Sequence, residues 1–161
     1  MPTNRQTARD ESFALLKGAQ IALDDLLPGA LEVDMRWQGI ETPEDVVDAG
    51  KQQQGKFWTR AVFLVIDSRQ AAHMLTDGPN GSPASWRTLG QVIIQVFAPR
   101  NVTDSFHFGS LIADNIADIY RNVETASGVG FERATAKDQP SEAAFWRWNV
   151  EVDFEYYERK D

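Results

Sequence analysis

Trp86-Arg87-Thr88-Leu89-Gly90-Gln91-Val92-Ile93-Ile94-Gln95-Val96-Phe97-Ala98-Pro99 reads as a strand that ends at a corner. Val92 to Val96 is dense in β-branched side chains, which suit a pleated surface, and Pro99 can neither donate to a ladder nor continue a central strand. A polar turn follows, Arg100-Asn101-Val102-Thr103-Asp104, and then Phe108, Leu111, Ile112, Ile116, Ile119, Tyr120 and Val123 recur at helical spacing. Thr103, Asp104 or Ser105 is placed to cap that helix, and Ser127-Gly128 lies just past its end. A strand, a Pro corner and an amphipathic helix form the centre of the chain. Nothing in this unit carries catalytic chemistry.

Upstream, Thr7 to Leu27 reads as one amphipathic helix with a stripe of Phe13, Leu16, Ala19, Leu23, Leu26 and Leu27, stopped by Pro28-Gly29. Leu31 to Gln38 alternates as a short strand, with Leu31, Val33, Met35 and Trp37 on one side. Ile40 to Lys56 breaks the pattern. Thr42-Pro43-Glu44-Asp45 can cap a single helical turn, and Lys51-Gln52-Gln53-Gln54-Gly55-Lys56 is almost wholly polar, the composition of a binding loop or a disordered one. Phe57 to Asp67 is a strand apolar on both faces. Phe57, Ala61, Phe63 and Val65 lie on one side and Trp58, Val62, Leu64 and Ile66 on the other, so helices or another subunit should cover both. Ser68 to Ser85 reads as a second loop around the turn cluster Asp77-Gly78-Pro79-Asn80-Gly81-Ser82-Pro83.

Downstream, Gly130 to Ala136 predicts a short strand and Lys137 to Ser141 a turn. The cleanest pattern comes last: Trp146, Trp148, Val150, Val152, Phe154 and Tyr156 alternate with Arg147, Asn149, Glu151, Asp153, Glu155 and Tyr157. That is a long strand with one buried aromatic face and one wet acidic face. Long antiparallel strands with two main helices, one N-terminal and one after the central strand, define an α+β fold on a mostly antiparallel sheet. The expected organisation is a single domain over 1–161 with long loops at about 40–56 and 68–85, since 161 residues suffice for a proper core.

Composition narrows the function classes. The chain carries a formal charge of −8, and its 16 Lys and Arg are scattered, so it lacks the dense cation cluster that tight nucleic-acid binding needs. With 0 Cys there is no disulfide, thiolate metal site or Cys nucleophile. No apolar run approaches the roughly 20 residues that cross a bilayer, and Met1-Pro2-Thr3-Asn4-Arg5 opens no signal-peptide apolar stretch. Cytoplasmic synthesis without a membrane partner is the expectation.

Candidate chemistry is thin. His73 and His107 have no Ser or Cys in a nucleophile context. Gly78 to Gly81 lacks the Lys-Ser/Thr of a phosphate-binding loop, and Asp77 and Asn80 lack the later Glu of a calcium loop. His107, Asp114 and Asp118 share one helical face and could ligate a metal or exchange protons, but that face lies opposite the apolar stripe, where charges simply meet water. Glu151, Asp153 and Glu155 could pose as paired carboxylates, yet their alternation with aromatics already explains them. No cofactor motif is present.

Leu89-Gly90-Gln91-Val92-Ile93-Ile94-Gln95-Val96-Phe97-Ala98-Pro99 followed by Leu111-Ile112-Ala113-Asp114-Asn115-Ile116-Ala117-Asp118 resembles the tail terminator-like family of tailed bacteriophages. The order of elements is also similar over nearly the whole chain, with Gly90, Gln95, Pro99 and the following helix the specific matches; the long Ile40 to Lys56 segment departs from the family pattern. The resemblance implies a structural virion protein with a tail-tube-like fold, made in the host cytoplasm. It would close into a homo-oligomeric ring, typically of six, on the head-proximal end of the tail tube. Its partners would be the tail tube protein and the head–tail connector, with DNA passing through the lumen unbound and part of the chain's acidity facing it. Catalytic residues, metals and cofactors are not implied. A heterologous contact whose rotation closes makes such a ring. Loop length and two-sided hydrophobicity nominate Lys51, Gln52, Gln53, Lys56, Phe57, Trp58, Arg60, Phe63, Val65, Arg69 and Trp86 as contact residues. A head–tail joining protein is the near rival. An NTF2-like domain, with Trp146, Trp148, Phe154 and Tyr156 lining a small-molecule pocket and His107 or an Asp as acid–base, is the alternative of a different class.

Overall fold

The strand that centres the sequence also centres the sheet. In the computed structural model, which describes residues 4–39, 55–70, 85–142 and 144–159, the elements are α1 (Arg5–Gly18), α2 (Gln20–Asp24), β1 (Val33–Trp37), β2 (Phe57–Gln70), β3 (Ser85–Pro99), α3 (Ser105–Tyr120), β4 (Gly130–Glu142) and β5 (Phe145–Arg159). The five strands lie in the order β1-β2-β3-β5-β4. β1 runs parallel to β2, and every other neighbouring pair is antiparallel. The fold is α+β, a mostly antiparallel sheet with its helices on one face.

Alternation decides which side chains meet the helices. Val92, Ile94, Val96 and Ala98 of β3 and Trp148, Val150, Val152, Phe154 and Tyr156 of β5 are buried on that face, against Ile112, Ala113, Ile116, Ala117 and Tyr120 of α3. α1 adds Ala8 and Leu16 to the same core. Helix α3 rides close to the sheet because it turns a glycine toward it: a Cβ at Gly109 would stand 2.3 Å from the Trp148 ring and 2.8 Å from Ala98 Cβ. The two long helices are joined by the Tyr120 hydroxyl, which donates to the Ser12 carbonyl of α1 at 2.7 Å. Burial pushes that phenol above its ordinary pKa.

Several boundaries differ from the sequence reading. The single helix over Thr7 to Leu27 is two, broken at Ala19, whose N–H turns back to Leu16 and Lys17 carbonyls. Gln20 and Asp24 beyond the break reach β1, where Gln20 Nε2 donates to the Val33 carbonyl at 2.8 Å and Val33 N–H donates to Asp24 Oδ1 at 2.7 Å. Ser68 to Gln70 are not loop; they continue β2 past a bulge between Val65 and Asp67 and pair with Trp86 to Thr88. Lys137 to Ser141 are not a turn but the second half of β4, so Lys137 pairs with Asn149. Pro140 is tolerated there because β4 is an edge strand. The helical turn expected at Thr42 to Asp45 and the turn cluster at Asp77 to Pro83 lie outside the described residues.

Candidate interaction surface

The sheet face opposite the helices is built from the other half of each strand's alternation: Trp58, Arg60, Val62 and Leu64 of β2, Gln91, Ile93, Gln95 and Phe97 of β3, and the odd-numbered residues of β5. At one end it is aromatic. Trp58 stacks on Phe97 with centroids 3.8 Å apart, Phe145 meets both edge-on, and the Arg147 guanidinium lies 5.9 Å from the Phe97 ring. In the middle it is a polar ladder. Arg60 Nε donates to Gln95 Oε1 at 2.8 Å and Gln91 Nε2 to Asp153 Oδ1 at 2.9 Å. Lys137 pairs with Glu151 at 2.5 Å, and Arg87 Nε donates to Glu155 at 3.0 Å. The hydrogen bond and charge of Glu155 raise the Arg87 guanidinium above its ordinary pKa. The wet face of β5 is thus acidic along its own strand, with Glu151 and Glu155 paired to cations across the sheet and Asp153 hydrogen-bonded to Gln91.

Toward the far end, level with the Arg87–Glu155 and Arg69–Asp67 pairs, two apolar side chains stand open. Leu64 is 40% exposed and Ile66 66% exposed, and among the described residues no helix lies over them. Alternation from Trp58 puts Ile66 on this face, and the bulge after Val65 then shifts the outward positions to Asp67 and Arg69. Gly90 opposite it has no room for a side chain: a Cβ there would lie 2.1 Å from the Leu64 carbonyl oxygen and 2.4 Å from the Phe154 ring.

The nominated contact residues do not share one surface. Trp58 and Arg60 lie on the open face, and Arg69 at its far end pairs with Asp67 at 2.5 Å. Lys56 is exposed beside the start of β2, and Trp86 is half-buried on the helix side. Phe57 and Phe63 belong to the core, 1% and 3% exposed, with Phe63 stacked on Phe154 at 4.4 Å, so neither offers a partner any area. Val65 is half-buried on that same side, opposite Gly90. Their strand is apolar on both sides, but only one side faces out, and sequence alternation cannot say which. Lys51, Gln52, Gln53 and His73 lie outside the described residues.

The residues assigned to a small-molecule pocket are packed instead. Trp148, Phe154 and Tyr156 are within 2% of complete burial, and the close approach at Gly109 fills the space over Trp148. Trp146 is half-buried beneath the Arg100 guanidinium, 4.3 Å from its ring, with Phe106 edge-on at 5.4 Å. His107, Asp114 and Asp118 project from the exposed side of α3, and Asp118 pairs with Arg121. Among the described residues no three His, Asp or Glu side chains are grouped to hold a metal, and no helix is long and apolar enough to cross a membrane.

No family model matches the sequence, and no curated protein matches it. One solved chain aligns over 92% of this protein and 96% of its own length, at 16% identity and a TM-score of 0.44, a likeness too slight to carry an argument.

Proposed function

We propose that this chain is a structural virion protein of a tailed bacteriophage. It would form a ring, typically of six subunits, that caps the head-proximal end of the tail tube, stops tube growth and presents the surface met by the head–tail connector. The reading assigns it no catalysis and no cofactor, and DNA passes through the ring without specific contacts. The observation that carries the proposal is the sheet face bearing Leu64 and Ile66. The helices cover one side of a strand that is apolar on both, and an exposed apolar patch on the other is what a subunit contact requires. The resemblance of the β3–α3 unit to the terminator-like family supplies the class. A head–tail joining protein has the same size and acidity and remains the rival.

Electron microscopy of tails assembled with and without the chain, using the tube protein of the same genome, tests the assignment. Overlong tubes without it, restored to fixed length on its addition, are the expected result. Tails of normal length that fail to join heads would assign the joining role instead, and tails indifferent to the chain would refute the viral reading.

A further inference from the structure

β1 lies at an edge of the sheet. In a parallel pair, alternate residues turn their N–H and C=O groups toward the neighbour and the rest turn them away. Gln38 N–H donates to the Ala61 carbonyl at 3.0 Å, so Gln38, Arg36 and Asp34 point toward β2, and Val33, Met35 and Trp37 point outward. At Val33 the outward slot is already filled by side chains that mimic a strand, through the Gln20 and Asp24 bonds described above. At Met35 and Trp37 nothing among the described residues takes the outward groups. Exposed edges of this kind are pairing templates, and natural proteins usually blunt them.

A cleft of about 930 Å³ lies along this edge between α1–α2 and β1. Its floor is apolar, since Leu31, Met35 and Trp37 are each half-buried, with Trp37 against Phe13 at a ring distance of 5.2 Å. Its charge is unlike that of the molecule as a whole, which carries −8. Lys17 and Lys56 stand exposed at the cleft, while Arg5 and Arg9 line a separate pocket at Gln38, where Arg9 donates to the Gln38 carbonyl. The acids nearby are largely engaged: Asp24 accepts from Val33 and Gln20, and Asp34 pairs with Arg36 at 3.0 Å. Glu32 alone sits exposed at the mouth.

We infer that this cleft binds an extended, acidic segment of a partner polypeptide, which adds to β1 as a sixth strand of the sheet. Its backbone pairs with Met35 and Trp37, alternate apolar side chains rest on the Leu31–Met35–Trp37 floor, and its carboxylates face Lys17 and Lys56. Main-chain hydrogen bonds supply the affinity of such strand addition, and side chains at every second position supply the specificity. The inference stands apart from the terminator reading, because it rests on the β1 edge and not on the open sheet face.

The test uses the full chain and a fluorescent peptide of alternating valine and glutamate, followed by anisotropy at low salt. The expected result is saturable binding that a valine–lysine peptide does not show. Methylating alternate peptide nitrogens in one phase should abolish binding while the other phase leaves it intact, since only one edge of an added strand is paired. Met35→Pro removes an outward N–H and none that β2 uses, and should weaken binding about tenfold. Lys17→Glu with Lys56→Glu leaves the backbone alone and should weaken it several-fold, which decides the matter if the proline variant does not fold. Equal binding of both peptides, or indifference to the phase of methylation, would overturn the inference. So would binding seen only after Glu41, Glu44, Asp45 and Asp48 are neutralised, because the chain's own acidic segment would then be the occupant.

Discussion

Replacing Gly109 by Ala tests the packing that holds the fold together. Gly109 is inside α3, where alanine is ordinarily preferred by about 1 kcal/mol. In this fold the added methyl would lie 2.3 and 2.5 Å from two atoms of the Trp148 ring and 2.8 Å from Ala98 Cβ. Optimal carbon contacts are about 3.5–4.0 Å, so the methyl is about 1 Å or more too close to Trp148 and about 0.7 Å or more too close to Ala98. Neither neighbour can withdraw cheaply: Trp148 is 1% exposed, and Ala98 Cβ is fixed to the central strand. Overpacking of this kind costs about 1–3 kcal/mol or more, and here it must first cancel the helical gain. A net loss of up to about 2 kcal/mol is expected, which for a chain of this length lowers Tm by up to roughly 8 °C. Calorimetry and urea unfolding measure it. Trp148→Phe removes the two nearest ring atoms, so the double variant should be more stable than the sum of the single losses by about 1 kcal/mol or more. A higher Tm for Gly109→Ala alone, or strict additivity, would refute the packing argument.

Tyr120 makes stability sensitive to alkali. Its folded pKa is raised by burial, so above the ordinary phenol value of about 10 the unfolded chain loses a proton that the folded one keeps, and stability falls as pH rises. Tyr120→Phe should cost about 0.5–1.5 kcal/mol at neutral pH and flatten that alkaline loss, as followed by denaturant titration from pH 7 upward. Gly90→Ala should destabilise by at least as much as Gly109→Ala, because its methyl would meet the Leu64 backbone oxygen, which cannot rotate away; thermal melts compare the two. Ile66→Glu, at an exposed position, should leave Tm nearly unchanged, within about 0.5 kcal/mol, and yet abolish ring formation on tubes seen by microscopy; unimpaired rings would remove the open face from the proposed contact. Lys137→Gln should cost at most about 1 kcal/mol, an effect that added salt erases, since both members of the Lys137–Glu151 pair are partly exposed.

Period and punctuation alone determined much of the molecule. The β-branched run ending at Pro99 and the strict alternation from Trp146 to Tyr156 each state a local geometry that stands in the fold, and the 3.6-residue stripe from Phe108 to Val123 does so up to Tyr120, where the helix ends before Val123. Tertiary structure decided what local pattern leaves degenerate. Lys137 to Ser141 has the composition of a turn and becomes strand because β5 offers it a partner, and Ser68 to Gln70 become strand because Trp86 to Thr88 do. The helix breaks at Ala19 because Gln20 and Asp24 bond the backbone of β1, a contact thirteen and nine residues along the chain from them. The two faces of β2 read alike in sequence, and only the docking of α1 and α3 buries Phe57 and Phe63 and turns Trp58, Leu64 and Ile66 outward. The cleft beside β1 was invisible for the same reason. It is made by backbone groups, which every sequence carries, and becomes a surface only where, among the described residues, an edge is left without a neighbour.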